Sequence, residues 1–392
     1  MGEKMKKRNL LAAIAPIIVF CMFTTVCAGN SSSTQDPPDK QDPPKLQIEE
    51  NAAILADESA ADFVAKIKIG WNLGNTLDAH PNGETSWGNP RTAKAMITAL
   101  KENGFNIIRI PVSWYQAAPK PDYTISNTWM NRVKEIVDYA VDNNLYIILN
   151  SHHDENIFKF MDKDMEESKK AFKAVWEQIA ETFRDYDYKL IFEDLNEPRT
   201  RGSANEWNGG TAEERKNLNE MHQIFVDTVR ASGGNNEKRI LMVSTYAASV
   251  ESAAVNGLVI PNDPSNSINK FIVSTHSYSP YMFALNEDKS VNKWSKNNSG
   301  DTSPITTWID RVNTAFVSKG YPVIGGEFGA LDKSNEDVRA EWAEFYVSSA
   351  RAKGIKCIWW DDGGNFRLFN RNNRTFYFPK IHEGLMRGAG VL

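Results

Sequence analysis

From about residue 52 to the C-terminus the sequence alternates between short apolar runs rich in β-branched residues and longer stretches with helical periodicity. The apolar runs fall at 67–73, 107–112, 146–150, 190–195, 239–244, 271–275, 323–326 and 356–360. Each reads as a buried strand. The amphipathic stretches between them fall at 92–103, 131–143, 166–184, 212–231, 306–319 and 336–353. Several end on a helix-stop pair: Asn103-Gly104, Ser232-Gly233, Lys319-Gly320 and Lys353-Gly354. Eight strands with helical crossovers predict an α/β fold, a (β/α)8 TIM barrel, as one domain over 52–392. The rival, a doubly wound open sheet, calls for a Gly-rich phosphate loop after its first strand. Gly70-Trp-Asn-Leu-Gly74 does not have that spacing.

The N-terminal residues stand outside this pattern. Lys4, Lys6, Lys7 and Arg8 precede an apolar run at 10–23, and Val26-Cys27-Ala28 resembles a small-residue cleavage site, so residues 1–28 read as a secretory signal. The run is short of the ~20 residues a membrane span needs. A lipid anchor on Cys27 is the alternative reading of the same segment. Residues 29–51, with two Asp-Pro-Pro triplets, read as an extended spacer. Together these segments predict a secreted, extracellular or periplasmic protein. Of Cys21, Cys27 and Cys357, only Cys357 lies in the globular part, so no internal disulfide is expected and a large core must hold the fold. A hydrophobic fraction of 41% excludes a disordered chain, and a net charge of −5 gives no reason to expect nucleic acid as a partner. A monomer is expected.

In such a barrel, functional side chains sit where strands end and the following loops begin. Those places hold Asn72 and Asn75, Arg109, His152 and His153, Asn196 and Glu197, His276 and Tyr278, Glu327, and Trp359 and Trp360. The fifth run offers Ser244, Thr245 and Tyr246 and says nothing about chemistry. Glu197 and Glu327 each follow a core strand and precede a turn, where a carboxylate must open into a cleft or bear a large desolvation cost. Two such carboxylates are what acid/base cleavage of a glycosidic bond requires. Arg109 is the expected partner of Glu193 inside the barrel, and also of Glu327, which it would hold ionised. Glu197, with no cation assigned to it, is expected to titrate higher and serve as acid. His276 and Tyr278 share a face at period two. Tyr278 is expected to donate to Glu327, and His276 to set the protonation of Glu197. The pair His152-His153 has the look of a metal cluster, but adjacent strand residues point to opposite faces. The His-Glu-x-x-His spacing is also absent. No metal and no cofactor are expected, and no Gly-x-Ser-x-Gly supports a serine nucleophile.

These motifs resemble glycoside hydrolase family 5, the clan A cellulase family, over 52–392. The most specific piece is Leu195-Asn-Glu-Pro198, followed by Gly326-Glu-Phe-Gly329. Arg109-Ile-Pro111, Asn150-Ser-His-His153, His276-Ser-Tyr278 and Trp359-Trp-Asp361 match further family positions in order. Gly70-Trp-Asn-Leu-Gly-Asn-Thr-Leu-Asp78 looks like the opening of the endo-β-1,4-glucanase/xyloglucanase branch. The resemblance implies Glu197 as acid/base, Asn196 on the sugar 2-hydroxyl, Glu327 as nucleophile and retention of anomeric configuration. It also implies a β-1,4-linked polysaccharide substrate. His152 and Trp360 are the favoured members of their pairs for the −1 subsite, with His153 supporting. Asp361-Asp-Gly-Gly364 departs from the expected Trp-Asp-Asn-Gly form, and Asp361 and Asp362 read either as sugar ligands or as loop caps. The expected activity is a secreted retaining endo-β-1,4-glucanase. Xyloglucanase, lichenase or mannanase activity are the alternatives within the family, and a non-catalytic carbohydrate-binding barrel is the alternative of another class. Trp87, Trp207 and Trp294, set among polar loop residues, are the candidate sugar platforms.

Overall fold

Each of the eight apolar runs contributes one strand, and the last pairs with the first. In a computed structural model that describes residues 58–81, 83–265 and 269–392, the strands form one closed parallel barrel in chain order. They are β1 (Gly70–Asn72), β2 (Ile107–Ile110), β3 (Tyr146–Asn150), β4 (Leu190–Glu193), β5 (Leu241–Ser249), β6 (Phe271–His276), β7 (Val323–Phe328) and β8 (Lys356–Trp359). The helices are α1 (Ala60–Lys66), α2 (Lys94–Glu102), α3 (Asn127–Asp142), α4 (Met165–Thr182), α5 (Ala212–Ala231), α6 (Ser252–Gly257), α7 (Tyr281–Ala284), α8 (Ser299–Ala315), α9 (Glu336–Ala352) and α10 (Pro379–Ala389). A short hairpin of β9 (Phe369–Asn370) and β10 (Thr375–Phe376) follows β8. This is the (β/α)8 architecture expected from the alternation. The export signal with Cys27 and the spacer lie outside the described residues. Among those residues, no helix is long and apolar enough to cross a membrane.

Strand parity builds the barrel interior in two layers. Near the strand starts, Ile107, Ile148, Ile191, Met242, Ile272, Ile324 and Ile358 pack together with Phe63 and Val64 of α1. That helix closes the bottom of the barrel, where the Ala60 amide donates to the Asn269 carbonyl. Two residues further along the strands, the same inward face carries Asn72, Arg109, Asn150, Glu193, Ser244 and Ser274, all fully buried. An apolar floor thus supports a polar layer, and the strand ends open above it. The outward faces of the strands meet the helices in a second core that includes Ile108, Leu149, Phe192, Val273 and Trp359.

Gly70 sits where the floor has no space for a side chain. A Cβ there would lie 2.7 Å from Ile107 Cγ2 and 2.9 Å from Ile358 Cγ1. Both neighbours are β-branched and stiff. Gly70→Ala is therefore expected to destabilise the barrel by about 1–3 kcal/mol, read as a lowered denaturant midpoint with unchanged slope.

Three elements differ from expectation in ways that matter for the site. β4 stops at Glu193, so Glu197 rides on the loop rather than at the strand terminus. β7 runs on to Phe328 and carries Glu327 within the strand. β5 continues to Ser249 through a register shift, with Ala247 and Ala248 at φ of 55° and 47°.

Candidate active site

Arg109 organises the polar layer. Fixed on β2 and fully buried, its guanidinium donates from Nε to Glu193 Oε2 at 2.7 Å, and from Nη1 to Asn72 Oδ1 at 3.0 Å and to Glu327 Oε1 at 2.9 Å. Its Nη2 donates to Asn196 Oδ1 at 2.6 Å. Glu193 accepts also from Asn150 Nδ2 at 2.9 Å and Ser274 Oγ at 2.6 Å. The two buried carboxylates outweigh the cost of burying the guanidinium and raise its pKa further. The expected pairing of Arg109 with both Glu193 and Glu327 is present.

Glu327 stands above this layer, 5% exposed. Its second oxygen accepts from the Tyr278 hydroxyl at 2.8 Å. Burial, with the Glu327 charge beside it, pushes the Tyr278 phenol well above its ordinary range, so it stays a donor. Gly326 leaves room for His276: a Cβ there would come within 3.0 Å of His276 Nε2. His276 Nδ1 in turn lies 3.0 Å from Glu197 Oε1 and 3.7 Å from Glu327 Oε2. Because a carboxylate accepts, the proton of this contact is assigned to Nδ1. One oxygen each from Glu197 and Glu327, with a nitrogen of His276, lie within 4.8 Å of one another. The loop after β4 and strand β7 thus bring the two carboxylates together at the barrel mouth.

His152 and His153 do not point to opposite faces. β3 ends at Asn150, so strand alternation no longer applies two residues later. The two rings sit 4.5 Å apart, edge to face, at the same side of the cleft. His152 Nε2 is 4.0 Å from Glu327 Oε1, and its ring lies parallel to Trp360 at 5.7 Å. Burial, then the positive charge of His153 and Arg109, holds His152 well below the usual imidazole range, so it is neutral at pH 7. His153 faces Asp78 and Glu155, each at 4.0 Å. The segment is held by Asp154, which accepts from the Trp114 and Tyr115 amides at 2.7 and 2.8 Å.

Glu197 has a cation that the sequence reading did not assign to it. The chain turns back after Pro198, and Arg199 Nη1 reaches Glu197 Oε2 at 3.2 Å. Burial raises the Glu197 carboxyl, but the His276 contact and Arg199 outweigh it and leave it below the ordinary glutamate range. This reverses the expected direction of its shift. Arg199 was missed because its i+2 contact depends on the turn after Pro198, which neither alternation nor helical periodicity describes.

Other residues around the cleft sort by contact. Asp361 accepts from Trp71 Nε1 at 3.0 Å and from the Leu368 and Phe369 amides, while Asp362 accepts from the Gly364 and Phe366 amides. Both cap the loop after β8. Trp87 and Trp207 are 39% and 56% exposed, as platforms would be. Trp294 is 4% exposed, packs on Phe345 at 5.4 Å and donates to the Asp301 carbonyl. Its polar neighbours face solvent while the indole turns inward, so it belongs to the core. Cys357 is buried, and burial pushes its thiol up to about 12, leaving it inert.

Comparison with known proteins shows which family the chain resembles. The family model of cellulase, glycosyl hydrolase family 5, matches residues 73–365. The chain is 46% identical over 345 residues to the cellulase/esterase CelE of Acetivibrio thermocellus, covering 86% of this chain and 41% of that one. It therefore spans about two fifths of the length of that relative. Among solved structures it is similar to a broad specificity endoglucanase from Clostridium acetobutylicum, with a TM-score of 0.80 and 45% identity, covering 84% of this chain and 99% of that one. A broad specificity endoglucanase from Ruminococcus champanellensis with bound cellotriose gives a TM-score of 0.81 and 44% identity, covering 84% and 99%.

Proposed function

The chain belongs to glycosyl hydrolase family 5, the cellulase family, and from this premise we infer that it cuts internal β-1,4 bonds of glucan chains with retention, using Glu327 as nucleophile and Glu197 as proton donor. The observation that carries the reading is that one oxygen of Glu197 and one of Glu327 lie within 4.8 Å of each other at the open end of the barrel. That spacing fits direct attack, for which carboxyl groups about 5–5.5 Å apart serve. It supports the closer pairing over the one of about 6.5–9.5 Å with which inverting enzymes admit a water.

In the first step a Glu327 oxygen bonds to the anomeric carbon while the glycosidic bond breaks. The proton of Glu197 goes to the departing oxygen, and a glycosyl ester remains on Glu327. Arg109 and Tyr278 hold one oxygen each of the Glu327 carboxyl group and keep it aimed until it attacks. Once Glu327 is esterified its charge is gone, and loss of a like charge lowers the Glu197 pKa further. Glu197 is then suited to take a proton from the attacking water, which releases Glu327 with a second inversion. Asn196, held by Arg109, is positioned to meet the sugar 2-hydroxyl, and Trp360 with neutral His152 forms a wall for the same ring.

Similar structures that are broad specificity endoglucanases support a β-glucan as the substrate class, taken to be soluble or amorphous. A polymer that cannot enter a cell fits the export signal read at 1–28, with a monomer acting outside the cytoplasm or tethered through Cys27. The test is release of reducing ends from carboxymethylcellulose, with the anomer of the first product followed by NMR. Glu197→Ala is expected to lower turnover on polysaccharide by about 10²–10⁴, and far less on an aryl cellobioside whose leaving group needs no proton. Equal losses on both substrates would remove Glu197 from the role of acid.

A further inference from the structure

Arg199 is held against the proton donor by an arrangement that catalysis by two glutamates does not by itself require. One nitrogen, Nη1, donates to the Glu197 carbonyl at 2.9 Å and meets its carboxylate at 3.2 Å. The guanidinium thus ties the Glu197 side chain to its own backbone. On its other edge Nε donates to Glu206 Oε1 at 3.0 Å, and the cation lies 4.6 Å over the centre of the Trp207 ring. The side chain is 9% exposed.

The segment carrying Arg199, Glu206 and Trp207 is itself pinned. The Thr200 amide donates to the Tyr246 hydroxyl at 3.0 Å, and that hydroxyl donates to buried Glu214 on α5 at 2.8 Å. Gly209 and Gly210 have φ of 85° and 67°. A Cβ at Gly209 would meet the Ala254 backbone nitrogen at 2.8 Å, and one at Gly210 the Tyr246 ring at 2.7 Å. Close approach to α6 and β5 therefore fixes where the loop can lie. Tyr246, on the strand that looked silent, is what anchors it.

The charged groups around Glu197 come from four elements. His276 on β6 is 3.0 Å away, Glu327 on β7 is within 4.8 Å, and Arg199 comes from its own loop. From the loop after β3, His153 acts at longer range. Arg199 also faces Glu155 at 3.6 Å, which Arg201 holds at 2.7 Å. Tyr278 reaches Glu327 rather than Glu197.

We propose that Arg199 is a positioning residue for the proton donor: it fixes the Glu197 carboxyl across from Glu327, and its charge sets the upper pH limit of turnover. The proposal rests on Glu197 being the acid. A cation held at this distance favours the carboxylate, so Glu197 gives up its proton at a lower pH than it would with His276 alone. Above that pH the enzyme lacks the proton it must deliver, and kcat/KM falls.

The experiment is the pH profile of kcat/KM on carboxymethylcellulose for the full chain and its variants, each checked by thermal unfolding. Arg199→Gln should move the basic limb up by about one pH unit, the lower end of the range for a carboxylate losing a cationic neighbour. Arg199→Lys, which keeps the charge but loses the fork, should leave the limb near its wild-type position while lowering the rate. Glu206→Gln, at a more exposed position, removes a competing negative charge and should move the limb down. A folded Arg199→Gln with an unmoved basic limb overturns the proposal, as does a Lys variant that shifts as far as Gln. If Arg199→Gln does not fold, Glu206→Gln decides: a downward shift supports the proposal and no shift overturns it. Failure of the underlying reading looks different, since Glu197→Gln would then retain the wild-type basic limb.

Discussion

Replacing Glu327 by glutamine is expected to reduce turnover of β-glucan by about 10⁶, the scale seen when a hydrolase loses its nucleophile, while substrate binding persists. Glutamine keeps the shape and an acceptor for Arg109, and the Tyr278 hydroxyl can accept from the new amide. The fold should therefore survive, and the loss should appear in kcat rather than in affinity. Truncation to alanine adds a stereochemical readout. With azide supplied, Glu327→Ala should yield the α-glycosyl azide, because the anion replaces the carboxylate in a single inverting displacement. Glu197→Ala should yield the β-glycosyl azide, because Glu327 still forms the ester and azide takes the place of the second, water-derived step. Product NMR reads the anomer directly. An interchange of the two outcomes would reverse the assigned roles.

Arg109→Met should have the largest effect on stability, a loss of about 3–5 kcal/mol measured by denaturant unfolding. The arginine is fully buried and neutralises two carboxylates, of which Glu193 has no solvent access at all. Removing it leaves a buried, uncompensated charge, which costs far more than the pair contributes. The double variant Arg109→Met/Glu193→Leu should recover much of that stability, because an apolar replacement of a whole buried pair is close to neutral. Activity should not return, since Glu327 and Asn196 would still lack the guanidinium that orients them. Stability without activity would separate the structural part of this network from its chemical part. Additive losses in the double variant would show that Arg109 and Glu193 are not coupled.

The legible and illegible parts of this molecule divide by the range of the interactions involved. Barrel strands were readable because an element buried on both faces must be apolar along its length, and Ile107–Ile110 or Leu190–Glu193 announce this locally. Helix ends at Gly104 and Gly354 were readable because positive φ there, 95° and 75°, favours glycine. The far half of β5 was not, since the chain passes through a register shift between Ser244 and Ser249 in its pairing with β6. The inward turn of Trp294 depends on Phe345, a helix residue 51 positions away. His152 and His153 were misread because a periodic rule was extended past the strand that justifies it.

By itself, the sequence determined the barrel, the two glutamates and most of the residue types around them, because these depend on local periodicity and on motifs a few residues long. It also identified Arg109 as the cation of the interior, since a buried Glu193 demands one. Only the tertiary structure decided how charge is shared among those groups. Electrostatic interaction falls with distance in space and not with separation in sequence. Arg199 reaches Glu197 through a turn, while His276 reaches it from a strand 79 positions later. Glu327 has its partners on β2 and on the loop after β6. Which glutamate carries the proton at a given pH is therefore a property of the assembled barrel mouth.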